Sequence, residues 1–205
     1  MRLSGFTLIE IMVAVSIFTI VAVICTGAFI TANQINQKAQ AIKLAMDNLN
    51  FALDDIVFKM KEGTNYRCIT TDISSATDVD GALSSEGEAS FSAQDCPNGS
   101  QAVAFRYPKG ALGSDQTLVV ARFITRVLPS GFSYGLIQMA QKKPGVTGQA
   151  FLDLTTDTVD IDQLSFLVRD ATGSVAPKSL ITLNGKAVVG HQQSGFSIQT
   201  LVAER

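Results

Sequence analysis

Few side chains in this chain of 205 residues could do chemistry, and their spacing narrows the choice. Nucleophilic or general-base catalysis usually needs a positioned histidine. The sole histidine, His191, sits in Gly190-His191-Gln192-Gln193-Ser194-Gly195, which has the composition of an exposed turn. The three cysteines, Cys25, Cys68 and Cys96, fit no zinc spacing. Thr77-Asp78-Val79-Asp80-Gly81 hints at a calcium loop. An EF-hand loop would then need an oxygen ligand where Ala76 stands and a glutamate where Gly87 stands, so these acids read as solvated loop residues. There is no glycine-rich phosphate loop and no HExxH. Arg106, Arg122 and Arg126 are spread along apolar segments rather than clustered with aromatics, and the net charge is -2. The expectation is no enzyme activity, no metal, no cofactor and no nucleic-acid partner.

Glu10 is the exception. From Phe6 to Ile30 it is the sole ionisable carboxylate or amine side chain in a run of about 25 residues, long enough to cross a hydrocarbon core of roughly 30 Å as a helix. The apolar part of an ordinary secretory signal spans only about 7–15 residues, so this run should remain as a membrane helix. Arg2 is the only basic side chain before it, which puts the N-terminus in the cytoplasm and the rest of the chain outside. A carboxylate within the bilayer costs roughly 2.5–3.5 kcal/mol on the insertion scale. The N-terminal end of the helix dipole lowers that cost without explaining the choice. A partner cation would explain it: a cut after Gly5 creates an amine on Phe6, and the Glu10 of an arriving subunit could pair with the Phe6 amine of one already in place.

The elements that must position these groups begin with the same helix. Beyond Thr31 the sequence turns polar yet stays periodic, with Ile35, Ala39, Ile42, Met46, Leu49, Leu53, Ile56 and Met60 forming an apolar seam. Gly63 suits the C-terminal cap, with Lys59 and Lys61 favoured by the dipole in the last turn. One helix of roughly 55 residues, about 80 Å long, is the simplest expectation. A second line, Leu44, Phe51 and Phe58, lies nearly opposite the seam, separated from it by Lys43, Asp47 and Asp54. It either contacts a neighbouring subunit or is covered by a head that wraps around the helix.

Strand patterns follow. Residues 70–100 are rich in Ser, Thr, Asp and Gly and read as a long loop. Ala102–Tyr107, Thr117–Leu128 and Phe132–Ala140 read as strands, and Val159–Val168 as a strand whose alternation slips by one residue, as a bulge would cause. Asn184-Gly185 between two apolar runs predicts a hairpin turn, and Gly195–Val202 a closing strand.

Gly5-Phe6-Thr7-Leu8-Ile9-Glu10, followed by Ile11-Met12-Val13-Ala14-Val15, resembles the prepilin signal of type IV pilins and type II secretion pseudopilins. That resemblance implies an α+β fold, with a long N-terminal helix packed against an antiparallel β-sheet head. It implies cleavage between Gly5 and Phe6 by a membrane prepilin peptidase, N-methylation of Phe6, and a role for Glu10 in assembly with other pilin subunits. Inner-membrane lipid is then a partner, and the helix is later drawn into a pilus or pseudopilus filament. Where major pilins often carry a helix-breaking proline, this chain has Gly27. The C-terminal layout is similar to J-type pseudopilins and W-type minor pilins in Ile161-Asp162-Gln163-Leu164-Ser165-Phe166, Pro177-Lys178-Ser179-Leu180 and Phe196-Ser197-Ile198-Gln199-Thr200. The plan becomes a leader over 1–5, a membrane half of the helix over 6–30, an extracytoplasmic half over 31–62 and a β-rich head over 63–205. Cys68 and Cys96 bracket a loop in that head, and in an oxidising periplasm a disulfide would close it. Cys25 reads as a packing residue of the membrane helix. The alternative is a membrane-tethered extracytoplasmic binding module or enzyme that uses the helix only as a tether.

Overall fold

The computed structural model describes residues 7–69, 77–83, 91–107, 116–129, 131–143, 145–172, 176–189 and 192–203. The sequence readings of Gly5, Phe6, Ala76, Gly87 and His191 lie outside these residues. The chain divides into an N-terminal unit, Met1–Gln40, and a larger unit, Ala41–Arg205.

Helix α1 runs Leu8–Lys61, 54 residues, and continues unbroken through Gly27. Glycine lacks a side chain but keeps its N–H, so the helix hydrogen bonding is not interrupted there. Ser16, Thr19, Thr26 and Thr31 each donate a side-chain hydroxyl to the carbonyl four residues back, at 2.7–3.0 Å. These bonds remove the polar hydroxyls from competition with a lipid surround. The helix ends as predicted, with Gly63 N donating to Met60 O at 3.1 Å.

The seam is placed correctly from Leu49 to Met60 and wrongly before it. Ala41, Ala45, Leu49, Ala52, Leu53, Ile56 and Met60 are buried, whereas Ile42 and Met46 are half-buried and Ile35 is exposed. Small alanines let the sheets approach the helix closely, so volume rather than hydrophobicity decides which side chains face inward.

Among the described residues nine strands follow: β1 Thr64–Cys68, β2 Cys96–Ser100, β3 Ala102–Tyr107, β4 Thr117–Val127, β5 Ser133–Lys142, β6 Leu152–Asp153, β7 Val159–Arg169, β8 Lys178–Val189 and β9 Gln192–Ala203, with a short helix α2 at Val79–Ala82. They form two antiparallel sheets, ordered β1-β3-β4-β5-β6 and β2-β7-β8-β9. The main core joins Leu49, Leu53, Ile56 and Met60 of α1 to Phe105 and Ile137 of the first sheet and Leu164 and Phe166 of the second. This is the expected α+β architecture of a helix packed with antiparallel sheets. A second core lies where Val79, Ala82, Leu83 and Phe91 cover Ala104, Leu118 and Val120. The middle of the first sheet is therefore buried on both faces.

Two local expectations are overturned. The 70–100 segment contains α2 and β2, not only loop, and Asp78 and Asp80 are half-buried and hydrogen-bonded rather than simply solvated. Asp78 caps α2, accepting from Gly81 N at 2.6 Å. Asp80 pairs with the buried ammonium of Lys142 and accepts from Gly148 N at 2.9 Å. Asn184-Gly185 is not a turn: β8 runs straight through it, with Gly185 opposite Ile161 on one side and Phe196 on the other. Glycine is needed there for close approach, because a Cβ would lie 2.5 Å from Asp160 O and 2.9 Å from the Phe196 ring. The bulge expected in β7 is present as a register shift between Ile161 and Gln163. It brings Ile161 O to within 1.9 Å of where a Cβ on Gly135 would lie, and Gly135 N donates to Asp160 Oδ1 at 2.9 Å. These contacts join β5 of one sheet to β7 of the other.

Candidate processing and assembly site

The first described turn of α1 holds Glu10. Thr7 caps it: Glu10 N donates to Thr7 Oγ1 at 3.3 Å, and Thr7 N reaches back to Glu10 Oε2 at 3.5 Å. This reciprocal pair is a capping box. It gives Glu10 a local role that Thr7-Leu8-Ile9-Glu10 spacing could have revealed and that attention to the carboxylate alone missed. Both bonds are long, and Glu10 is exposed, so the carboxylate retains capacity for a stronger cationic partner.

Apart from Glu10, the helix surface from Leu8 to Ile30 is dominated by apolar side chains. Leu8, Ile9, Met12, Phe18, Ile20, Ile24 and Phe29 are exposed, and among the described residues α1 is the helix long and apolar enough to cross a membrane. A helix apolar all round is buried in lipid or protein.

Further along, Leu44, Phe51 and Phe58 are 62%, 71% and 60% exposed. The described part of the head does not wrap around this face of the helix. Three large apolar side chains in line, one every second turn, make a surface that water solvates poorly.

The structure joins Cys68 on β1 to Cys96 on β2 in a disulfide, with Cα atoms 5.9 Å apart. Both residues are buried, and the bond links an edge strand of one sheet to an edge strand of the other. Cys25 is free and exposed on α1.

The dispersed arginines gather less than a binding site would need. Arg122 lies over the Phe151 ring, 3.6 Å from its centroid, and donates through Nη2 to Gln138 Oε1 at 2.7 Å. Gln138 Nε2 donates to Asp153 Oδ1 at 2.7 Å, and Arg126 grips the same carboxylate with two bonds of 2.5 and 2.9 Å. Burial pushes the Asp153 carboxyl up, but the donors on Arg126 and Gln138 outweigh it and hold it below the usual carboxylate range. Lys142 and the Gly148 N–H hold Asp80 below that range too. Arg106 sits apart, over Phe91. Asp153 and Asp80 are each matched to donors, which is the chemistry of a structural ladder. Among the described residues, no three His, Cys, Asp or Glu side chains converge as metal ligands.

Helix α1, with a carboxylate in its first described turn, has the length and apolar composition of a membrane anchor and leads into the sheets of the head. Residues 1–26 match the prokaryotic N-terminal methylation motif, which supports a type IV pilin-like protein of the type that prepilin peptidase processes. The motif points to a structural subunit that assembles with other pilins and is anchored in the inner membrane by its N-terminal apolar helix. No curated protein and no solved structure matches the chain.

Proposed function

We propose that this protein is a minor pilin or pseudopilin, assembled into a type IV pilus or a type II secretion pseudopilus. Prepilin peptidase cuts between Gly5 and Phe6 and methylates Phe6. Residues 6–30 then span the inner membrane, residues 31–62 continue outside it, and the head over 63–205 is extracytoplasmic. The observation that carries this reading is the methylation motif at the start of one uninterrupted helix with Glu10 in its first described turn.

Assembly is an exchange of partners at Glu10. In the free subunit the carboxylate caps its own helix through one long bond, from Thr7 N. Next to an assembled subunit it meets the Phe6 amine, a full positive charge in a low-dielectric surround, where an ion pair is far stronger than in water. The line of Leu44, Phe51 and Phe58 packs against neighbouring helices as the subunit leaves the membrane.

Intact mass of the membrane-extracted chain tests the processing step. A mature chain beginning at N-methyl-Phe6 is expected; an unprocessed Met1 or a cut near Ala32 would support the tethered module or enzyme instead. Glu10→Gln should be cut and methylated normally yet fail to enter filaments. Phe51→Asp should also block assembly while the head melts as in the wild type. A head that unfolds with Phe51→Asp would show that this face is core, contrary to its 71% exposure.

A further inference from the structure

Among the described residues the head has four sheet edges, and they are not alike. β1 is five residues long, its pairing with β3 shifts register, and Asn65 has a positive φ of 55°. β2 is five residues long, contains Pro97, and also shifts register. β6 has two residues. Shortness, proline and register breaks are the devices by which proteins stop an edge from recruiting another strand.

β9 has none of them. It is twelve residues long and pairs with β8 in one unbroken register from Ala203 opposite Lys178 to Gln192 opposite Val189. Its sequence, Gln192 to Ala203, contains no charged residue and no proline. Among the described residues no strand lies on its far side. Phe196 and Ile198 pack against the main core but are only half-buried, so the apolar layer stops partway across this strand.

We infer that the β9 edge is a strand-pairing interface whose partner is β9 of a second copy of this chain, antiparallel across a two-fold axis. The edge presents backbone donors and acceptors, which an extended chain satisfies and a helix does not. A second copy fits for three reasons. Its other edges are blunted, so β9 is the one long regular strand it can offer in return. A neutral strand meets itself without like-charge repulsion. The side-chain period of two also suits self-pairing. Phe196, Ile198 and Val202 share one face, and any register that pairs even-numbered with even-numbered residues puts both sets on the same face of the joined sheet and extends the core layer across the axis. This inference does not depend on which filament the subunit enters, or on whether it enters one.

The test uses the full chain in detergent with Cys25→Ala, so that no native free thiol remains. Single cysteines are placed on the solvent face of β9, as Ser197→Cys or Gln199→Cys, and at the exposed start of β5 as the control Ser133→Cys. A short thiol-to-thiol cross-linker spans direct or diagonal neighbours across a strand pair. The expected result is a covalent species of doubled mass from the β9 cysteines and none from the control. Adding Thr200→Lys should abolish it, with the Cys68–Cys96 disulfide still formed as evidence of a folded head. Absence of the dimer, an equal yield from Ser133→Cys, persistence with Thr200→Lys, or attachment only to a different polypeptide would each overturn the inference.

Discussion

Reducing the Cys68–Cys96 bond should weaken the head by an amount that its loop length sets. The cysteines are 28 residues apart in sequence. Closing a loop of that length removes about 12 cal/mol/K of entropy from the unfolded chain, or about 3.6 kcal/mol at 25 °C. Both sulfurs are buried, so reduction requires unfolding in reductant followed by refolding. The reduced wild type keeps both sulfur atoms, which separates loop closure from packing loss; Cys68→Ala with Cys96→Ala should then cost somewhat more. The assay is guanidinium unfolding of the full chain in detergent, followed by the near-ultraviolet circular dichroism of Tyr66, Tyr107 and Tyr134. With a slope of roughly 4 kcal/mol/M, the midpoint should fall by about 0.9 M. The melting temperature should fall by about 7–14 °C, at about 2–4 °C per kcal/mol for a unit of this size. The reduced chain should also have a steeper slope, because its denatured state is more open. A loss under about 1 kcal/mol would refute the reasoning, since it would mean the unfolded loop is already held closed by other contacts.

Three further predictions concern the packing and its acids. Gly135→Ala puts a Cβ 1.9 Å from Ile161 O and should destabilise the head by about 3 kcal/mol or more, measured by the same unfolding assay. Ala45→Leu should cost about 1–3 kcal/mol, because Ala45 is buried against the sheets, whereas the half-buried Met46 should tolerate leucine with little change. Asp80 and Asp153 have lowered carboxyl pKa values when folded, so below their unfolded value of about 3.9 the unfolded state binds more protons. Their stabilisation is complete above that range and is lost as pH falls through the lowered folded values. The melting temperature of the wild type should therefore drop more steeply than that of Asp153→Asn on acidification below about pH 4.

Long, strongly periodic features were legible in the sequence. The 25-residue apolar run, the Glu10 anomaly and the heptad-like spacing lead to α1, and β-rich runs lead to β3, β4, β5 and β7. What sequence reasoning missed was decided by contacts between distant residues. Cys96-Pro97-Asn98-Gly99-Ser100 has turn composition, yet it becomes β2 because β7 accepts it as an edge partner. Asn184-Gly185 carries the local signature of a turn, but Gly185 serves the tight crossing over Asp160. Ala41 and Ala45 are buried while the larger Ile42 and Met46 are only half-buried, an order that periodicity weighted by hydrophobicity cannot express. Asp80 looked solvated because its partner Lys142 lies 62 residues away. At the candidate site, the carboxylate was found by its cost in lipid, while Thr7 as its capping partner was overlooked because threonine costs little there.

The disulfide also has a mechanical consequence. α1 passes into β1 through Glu62 and Gly63, and β1 is an edge strand of five residues held by β3. A tensile load applied along the helix first meets the packing of Leu49, Leu53, Ile56 and Met60 against both sheets, and once that gives way it passes through β1 to Cys68. From there the covalent path crosses to Cys96 on the other sheet, so residues 69–95 drop out of the load-bearing line. Tension then arrives at β2, β7 and the rest of the second sheet, and the contour length of the 69–95 segment is never released under pull.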